Sequence, residues 1–229
     1  MKLKKYLFMG ALVAATSSFA GNNYFYVGGG ATLINSNSLI RINANDHANT
    51  GSITVSDTSS AGGSRAFLGY ERSNNCFFVA GEIIGAPRDI SGKKGFLSIF
   101  DPGTGGYAQD SFEIKYSRDF TVGGKIKVGG QITDNLSAFL GIGVINSRFK
   151  ITYVNNTQKN IFNRDVYGME PGAGISYKLS SNIRFGIEYF YQQYRAFKTK
   201  NLNTENGVSL VAYPKFKFNS FLFSLSLGF

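Results

Sequence analysis

Phe221-Leu222-Phe223-Ser224-Leu225-Ser226-Leu227-Gly228-Phe229 decides the fold. With the two-residue period of a β-strand, Phe221, Phe223, Leu225, Leu227 and Phe229 share one face; Leu222, Ser224, Ser226 and Gly228 share the other. In water, a wholly apolar strand face with an unpaired edge invites pairing with other chains. Such a strand asks for lipid on its outer side and a partner on each edge, and a closed transmembrane barrel supplies both.

Seven further segments repeat the alternation over about ten residues, the length a tilted strand needs to cross a bilayer. They cover about 23–33, 64–71, 76–85, 119–132, 136–149, 165–178 and 183–194, and the terminal strand reaches back to about Lys215. Outward faces include Phe25, Val27 and Leu33 in the first segment, Leu140, Ile142 and Val144 in the fifth, and Ile183, Phe185 and Ile187 in the seventh. The connections alternate in length. Residues 72–75, 133–135 and 179–182 are tight turns of Asn, Asp and Ser, whereas 34–63, 86–118, 150–164 and 195–214 are long, polar links. That asymmetry predicts an all-β, closed antiparallel up-and-down eight-stranded transmembrane β-barrel rather than a soluble sandwich.

Composition agrees: Gly 28, Phe 21 and Tyr 13 stand against Pro 4 and Trp 0. No run of 18 apolar residues follows the N-terminal segment, so helical membrane spans are excluded. Lys2, Lys4 and Lys5, the apolar stretch 6–15 and the small residues before Ala20 read as a signal peptide over 1–20, with one barrel domain over 21–229. Setting aside those three lysines lowers the formal charge from +10 to +7. The excess is spread along the chain, which argues against nucleic acid and fits contact with anionic lipid headgroups. Cys76 has no second cysteine to pair with, and His47 is the sole histidine, so neither a disulfide, a metal site nor a cofactor is expected.

By parity the outward faces carry no charge at bilayer depth, where Arg or Lys costs about 2–4 kcal/mol. The charges fall inside: Glu71, Glu82, Lys125, Lys127, Glu170, Lys178, Arg184 and Glu188. Buried charges persist only when paired, so an ionic network is expected in the lumen, with Gly129, Gly141, Gly143, Gly172, Gly174 and Gly186 leaving it room. Tyr24, Tyr26, Tyr189 and Tyr191, with Phe112, Tyr116 and Phe120, read as interfacial girdle residues. Pro171 has no N–H for a ladder, which calls for a bulge or strand end there.

Together, the signal-like start, eight alternating segments, four long links and terminal Phe resemble the eight-stranded outer-membrane barrels of the outer membrane protein A and opacity surface-protein type. The resemblance implies a monomer in the outer membrane of a Gram-negative bacterium, in contact with outer-membrane lipid and lipopolysaccharide. At the loops it implies host surface molecules as partners. It also implies that Phe229, with Leu227 and Leu225, is read by the outer-membrane assembly machinery, and that lumenal salt bridges join pairs such as Lys127 with Glu170 and Glu82 with Arg184. The chain shows no peptidoglycan-binding segment of the outer membrane protein A kind, so a wall-tethering role is not implied.

The expected function is that of a non-enzymatic surface barrel for envelope integrity or loop presentation, with a narrow porin-like channel as the alternative. A lipid A-modifying acyl-transfer enzyme is the third reading. His47 with Asp110 and Ser111 supplies the residue types for it. The Trp, the amphipathic leading helix and the His-x-Ser pairing of such enzymes are missing.

Overall fold

The computed structural model describes residues 22–46, 49–74, 76–96, 99–101, 106–108, 112–154, 159–199, 202–203 and 209–229. The expected signal segment, His47, Asp110 and Ser111 lie outside the described residues. Alternating sequence becomes strand throughout: β1 (Asn22–Asp46), β2 (Asn49–Ser73), β3 (Phe77–Ala86), β4 (Ile90–Phe96), β5 (Ile99–Asp101), β6 (Gly106–Ala108), β7 (Phe112–Gln131), β8 (Leu136–Val154), β9 (Lys159–Lys178), β10 (Ile183–Tyr194), β11 (Leu202–Asn203) and β12 (Ser209–Gly228).

Eight of them, β1-β2-β3-β7-β8-β9-β10-β12, form an antiparallel ring that closes where β12 pairs with β1 from Tyr26↔Gly228 to Asn45↔Ser209. The terminal residue completes the seam, Phe229 N donating to Phe25 O at 2.9 Å. The backbones approach closely here, and a Cβ on Gly30 would collide with the Phe223 carbonyl. The short turns are held by their own side chains. Asn74 Oδ1 accepts from Cys76 N (3.0 Å) and Phe77 N (2.7 Å), and Ser180 Oγ accepts from Ile183 N (3.2 Å).

The strands are longer than the sequence segments. β1 and β2 have 25 residues each, roughly 80 Å at about 3.3 Å per residue, far more than a hydrocarbon core of about 30 Å. Much of the links 34–63, 86–118, 150–164 and 195–214 is therefore strand, which corrects their reading as loops.

The reason they looked like loops is an inversion of polarity at constant parity. On β1, Phe25, Val27 and Leu33 face out and are exposed; farther along the same outward row come Asn35, Asn37 and Arg41. The inward row changes in the opposite sense, to the buried Ile34, Ile40 and Ile42. β12 repeats this, with Phe221 to Phe229 outward at one end, Lys215, Lys217 and Asn219 on the same side at the other, and Phe216 and Phe218 buried. Where the outer medium is lipid, polar groups must go inside; where it is water, the ordinary inside-apolar rule returns.

The ring is complete only at membrane depth. β2 pairs with β3 from Ser73↔Phe78 to Ala66↔Gly85, and among the described residues no ladder joins its remaining length to β4, which pairs with β7. β9 and the chain after β10 stay joined as far as Arg195, whose N donates to Tyr167 O at 3.2 Å, and residues 197–199 turn to β12 instead. Beyond the membrane the wall thus divides into two facing sheets, 197–199/β12/β1/β2 and β4/β7/β8/β9.

Pro171 meets neither a bulge nor a strand end. The β9–β10 ladder runs to Gly172↔Phe190 and resumes in the same register at Met169↔Gln193. Two pairs lapse, and the Gln192 side chain bridges to Glu170 across the gap (2.7 Å).

Candidate functional site

The register explains how the inward charges meet. Lys125 lies beside Gly143 on β8, and Gly143 lies beside Glu170 on β9. The glycine adds no side chain to the wall, so the lysine crosses a whole strand to place Nζ 2.6 Å from Glu170 Oε1. Arg65 from β2 reaches the same carboxylate from across the lumen with a two-pronged grip, Nη1 to Oε1 at 2.8 Å and Nη2 to Oε2 at 2.5 Å.

From Glu170 the network extends both ways. Lys125 also pairs with Glu188, whose other oxygen lies 3.0 Å from Lys127 Nζ; that ammonium donates to Glu82 Oε1 at 2.8 Å, and Tyr26 Oη donates to the same oxygen at 2.9 Å. Toward the long-strand end, Gln192 accepts from Arg118 Nη1 at 2.5 Å. Arg118 is clamped to Asp89 by two hydrogen bonds of 2.8 and 2.5 Å. Near the chain termini Arg184 donates to Glu71 at 2.7 Å. Each cation has a carboxylate, and several also have a ring. Arg65 lies 4.1 Å from the Phe190 centroid, Lys127 4.6 Å from Phe139, and Arg118 4.7 Å from Phe218.

Of the residues expected in this network, Glu71, Glu82, Lys125, Lys127, Glu170 and Glu188 are buried and Arg184 half-buried, whereas Lys178 is exposed at the rim. The pairings carried over from the resemblance change partners: Lys127 joins Glu82 and Glu188 rather than Glu170, and Arg184 joins Glu71 rather than Glu82. Arg65, Asp89, Arg118 and Gln192 were missed. Arg65 shares the inward parity of Phe67 and Glu71, so the period alone could have found it. Two of the expected girdle aromatics, Tyr26 and Tyr116, are instead buried inside, while Tyr189 is exposed and donates to Asn219 at 2.8 Å. Leu225, Leu227 and Phe229 are exposed on the outward face.

Above the ionic network lies an aromatic layer. Phe149 and Phe216 stack with centroids 4.4 Å apart and planes within 2°. Phe218 stacks on Phe216, Tyr194 meets Phe149 edge-on at 5.0 Å, and all are 1% exposed or less. Below the network, toward the termini, a cavity of about 50 Å³ is lined by Glu71, Glu82, Lys127, Arg184 and Tyr26, room for a few waters. Among the described residues no group of His, Cys, Asp and Glu could hold a metal ion.

A closed ring of strands with an apolar outer band and a filled, charge-paired interior is an integral outer-membrane β-barrel. The sequence matches the outer membrane protein beta-barrel domain family over residues 6–229, and the chain belongs to that family. Its location is the outer membrane. Among solved structures it is similar to the outer membrane protein OprG from Pseudomonas aeruginosa, at 10% identity, covering 91% of this chain and 97% of that one, with a TM-score of 0.53. It is also similar to Ail of Yersinia pestis (15% identity, 87% of this chain and 99% of that one, TM-score 0.39) and to neisserial surface protein A (12%, 86% and 98%, 0.38). At such identities the likeness to OprG concerns the fold alone. No curated protein matches in sequence.

Proposed function

We propose that this protein is a sealed, non-conducting and non-enzymatic surface barrel, which anchors a rigid two-sheet projection and its loops outside the membrane. The aromatic layer carries this reading. Phe149, Phe216, Phe218 and Tyr194 close the interior above a network whose cations are already matched to carboxylates. An eight-stranded ring has an interior just wide enough for its own side chains. Residues 1–20 act as the cleaved signal and 21–229 as the mature barrel. Leu225, Leu227 and Phe229 are the segment read by the assembly machinery, and lipopolysaccharide and host surface molecules are the partners. A ring without free edges at membrane depth favours a monomer. In planar bilayers the purified protein is expected to give no stable conductance steps at moderate voltage. Sustained, uniform channels would establish the narrow-porin alternative instead.

A further inference from the structure

The two sheets beyond the membrane differ in how their cations are used. On β7, β8 and β9 acids stand among the outward cations: Lys115 lies 2.8 Å from Glu113, and Arg148 lies 2.8 Å from Asp165. The outward face of the other sheet has no acid among the described residues. β1 shows Asn35, Asn37, Leu39 and Arg41, β12 shows Tyr213, Lys215, Lys217 and Asn219, and 197–199 shows Lys198. Among the described residues these cations have no ion-pair partner.

Their placement follows from the register. Arg41 stands directly opposite Tyr213. On the other side, Phe197 N donates to Pro214 O (3.3 Å) and Thr199 N to Ala212 O (3.0 Å), which sets Lys198 beside Tyr213. Arg41, Tyr213 and Lys198 thus form a row across three strands. Lys215 and Lys217 follow on β12 toward the membrane, successive outward positions being about 7 Å apart. Lys217, flanked by Asn37 and Gln193, stands four residues beyond Phe221, the last residue of the lipid-facing row. The cations therefore begin at the polar boundary and climb away from it.

We propose that Arg41, Lys198, Lys215 and Lys217, grouped around Tyr213, bind the phosphate-bearing saccharide of lipopolysaccharide in the outer leaflet. The inference rests on the proposed orientation, with the long-strand end outside the cell. Phosphate groups accept charge-assisted hydrogen bonds from Arg and Lys, and the half-buried Tyr213 ring gives a sugar face something flat to pack on. Charge complementarity selects an anion, and the ladder's start at the membrane boundary selects one anchored in that leaflet over a polyanion free in solution.

The test uses the full barrel in phosphatidylcholine nanodiscs, titrated with lipopolysaccharide, with enzymatically dephosphorylated lipopolysaccharide, and with heparin. Lipopolysaccharide is expected to bind, and salt to weaken the binding. The dephosphorylated form and the triple variant Arg41→Gln/Lys215→Gln/Lys217→Gln should each bind weaker by about tenfold or more. A control variant on the opposite sheet, Lys115→Gln/Lys150→Gln, should bind like wild type. Equal binding by the triple variant, or indifference to phosphate, overturns the proposal; preference for heparin reassigns the face to a soluble polyanion and also overturns it. Heat-modifiable mobility of the triple variant verifies folding. Conductance of the wild type reports separately on the sealed-barrel reading, so either can fail alone.

Discussion

Replacing Glu170 with alanine is expected to destabilise the folded barrel by about 3–5 kcal/mol, measured as a lowered urea midpoint in lipid vesicles. Glu170 is wholly buried and serves Arg65, Lys125 and Gln192 together. Its removal strands a guanidinium and one arm of an ammonium in a lumen with little water to replace the lost oxygens. Most of the cost is the penalty of leaving those charges unpaired rather than the worth of the original bonds. Glu170→Gln keeps the shape and two hydrogen-bonding ends but not the charge, so it should fall between wild type and alanine. A midpoint unchanged by Glu170→Ala would mean the lumen is hydrated enough to screen the network.

Phe149→Ala should cost a similar amount, about 3–5 kcal/mol, for a different reason: a large ring is deleted from a dry, close-packed layer. Phe149 touches Phe216 face to face and Tyr194 edge-on, so the cavity has rigid walls and little scope to collapse. Because Phe149 and Phe216 stack on each other, the double variant Phe149→Ala/Phe216→Ala should lose less than the sum of the single losses. Strict additivity in urea unfolding would contradict the stacked geometry.

These two sites mark what the sequence could and could not reveal. The staves at membrane depth were legible because lipid outside and polar groups inside produce a clean period of two, as in 221–229 and 136–144. The same strands became illegible once they left the membrane. At 34–43 and 211–220 the period persists, but its polarity reverses, and a mixture of Asn, Lys and Ser with scattered Ile and Phe reads as a polar link. Asp89 and Arg118 were hidden in one such link. Parity identified which charges point inward, yet partner choice depends on side-chain reach across a neighbouring strand. Gly143 lets Lys125 reach Glu170, and nothing local to either residue announces that. Tyr26 and Tyr116 were placed at the girdle by residue type, although parity puts Tyr26 inside.

The inversion of polarity along one strand is most directly tested by spin-label accessibility on β12. Single cysteines at outward positions 215, 217, 219, 221, 223 and 225, in a Cys76→Ser background and reconstituted in vesicles, would be exposed in turn to oxygen and to a water-soluble nickel complex. Oxygen should dominate at 221, 223 and 225 and the nickel complex at 215, 217 and 219, with the crossover between 219 and 221. Nickel exposure at 223 and 225, or lipid exposure at 215 and 217, would contradict a barrel whose wall passes from lipid to water at that point.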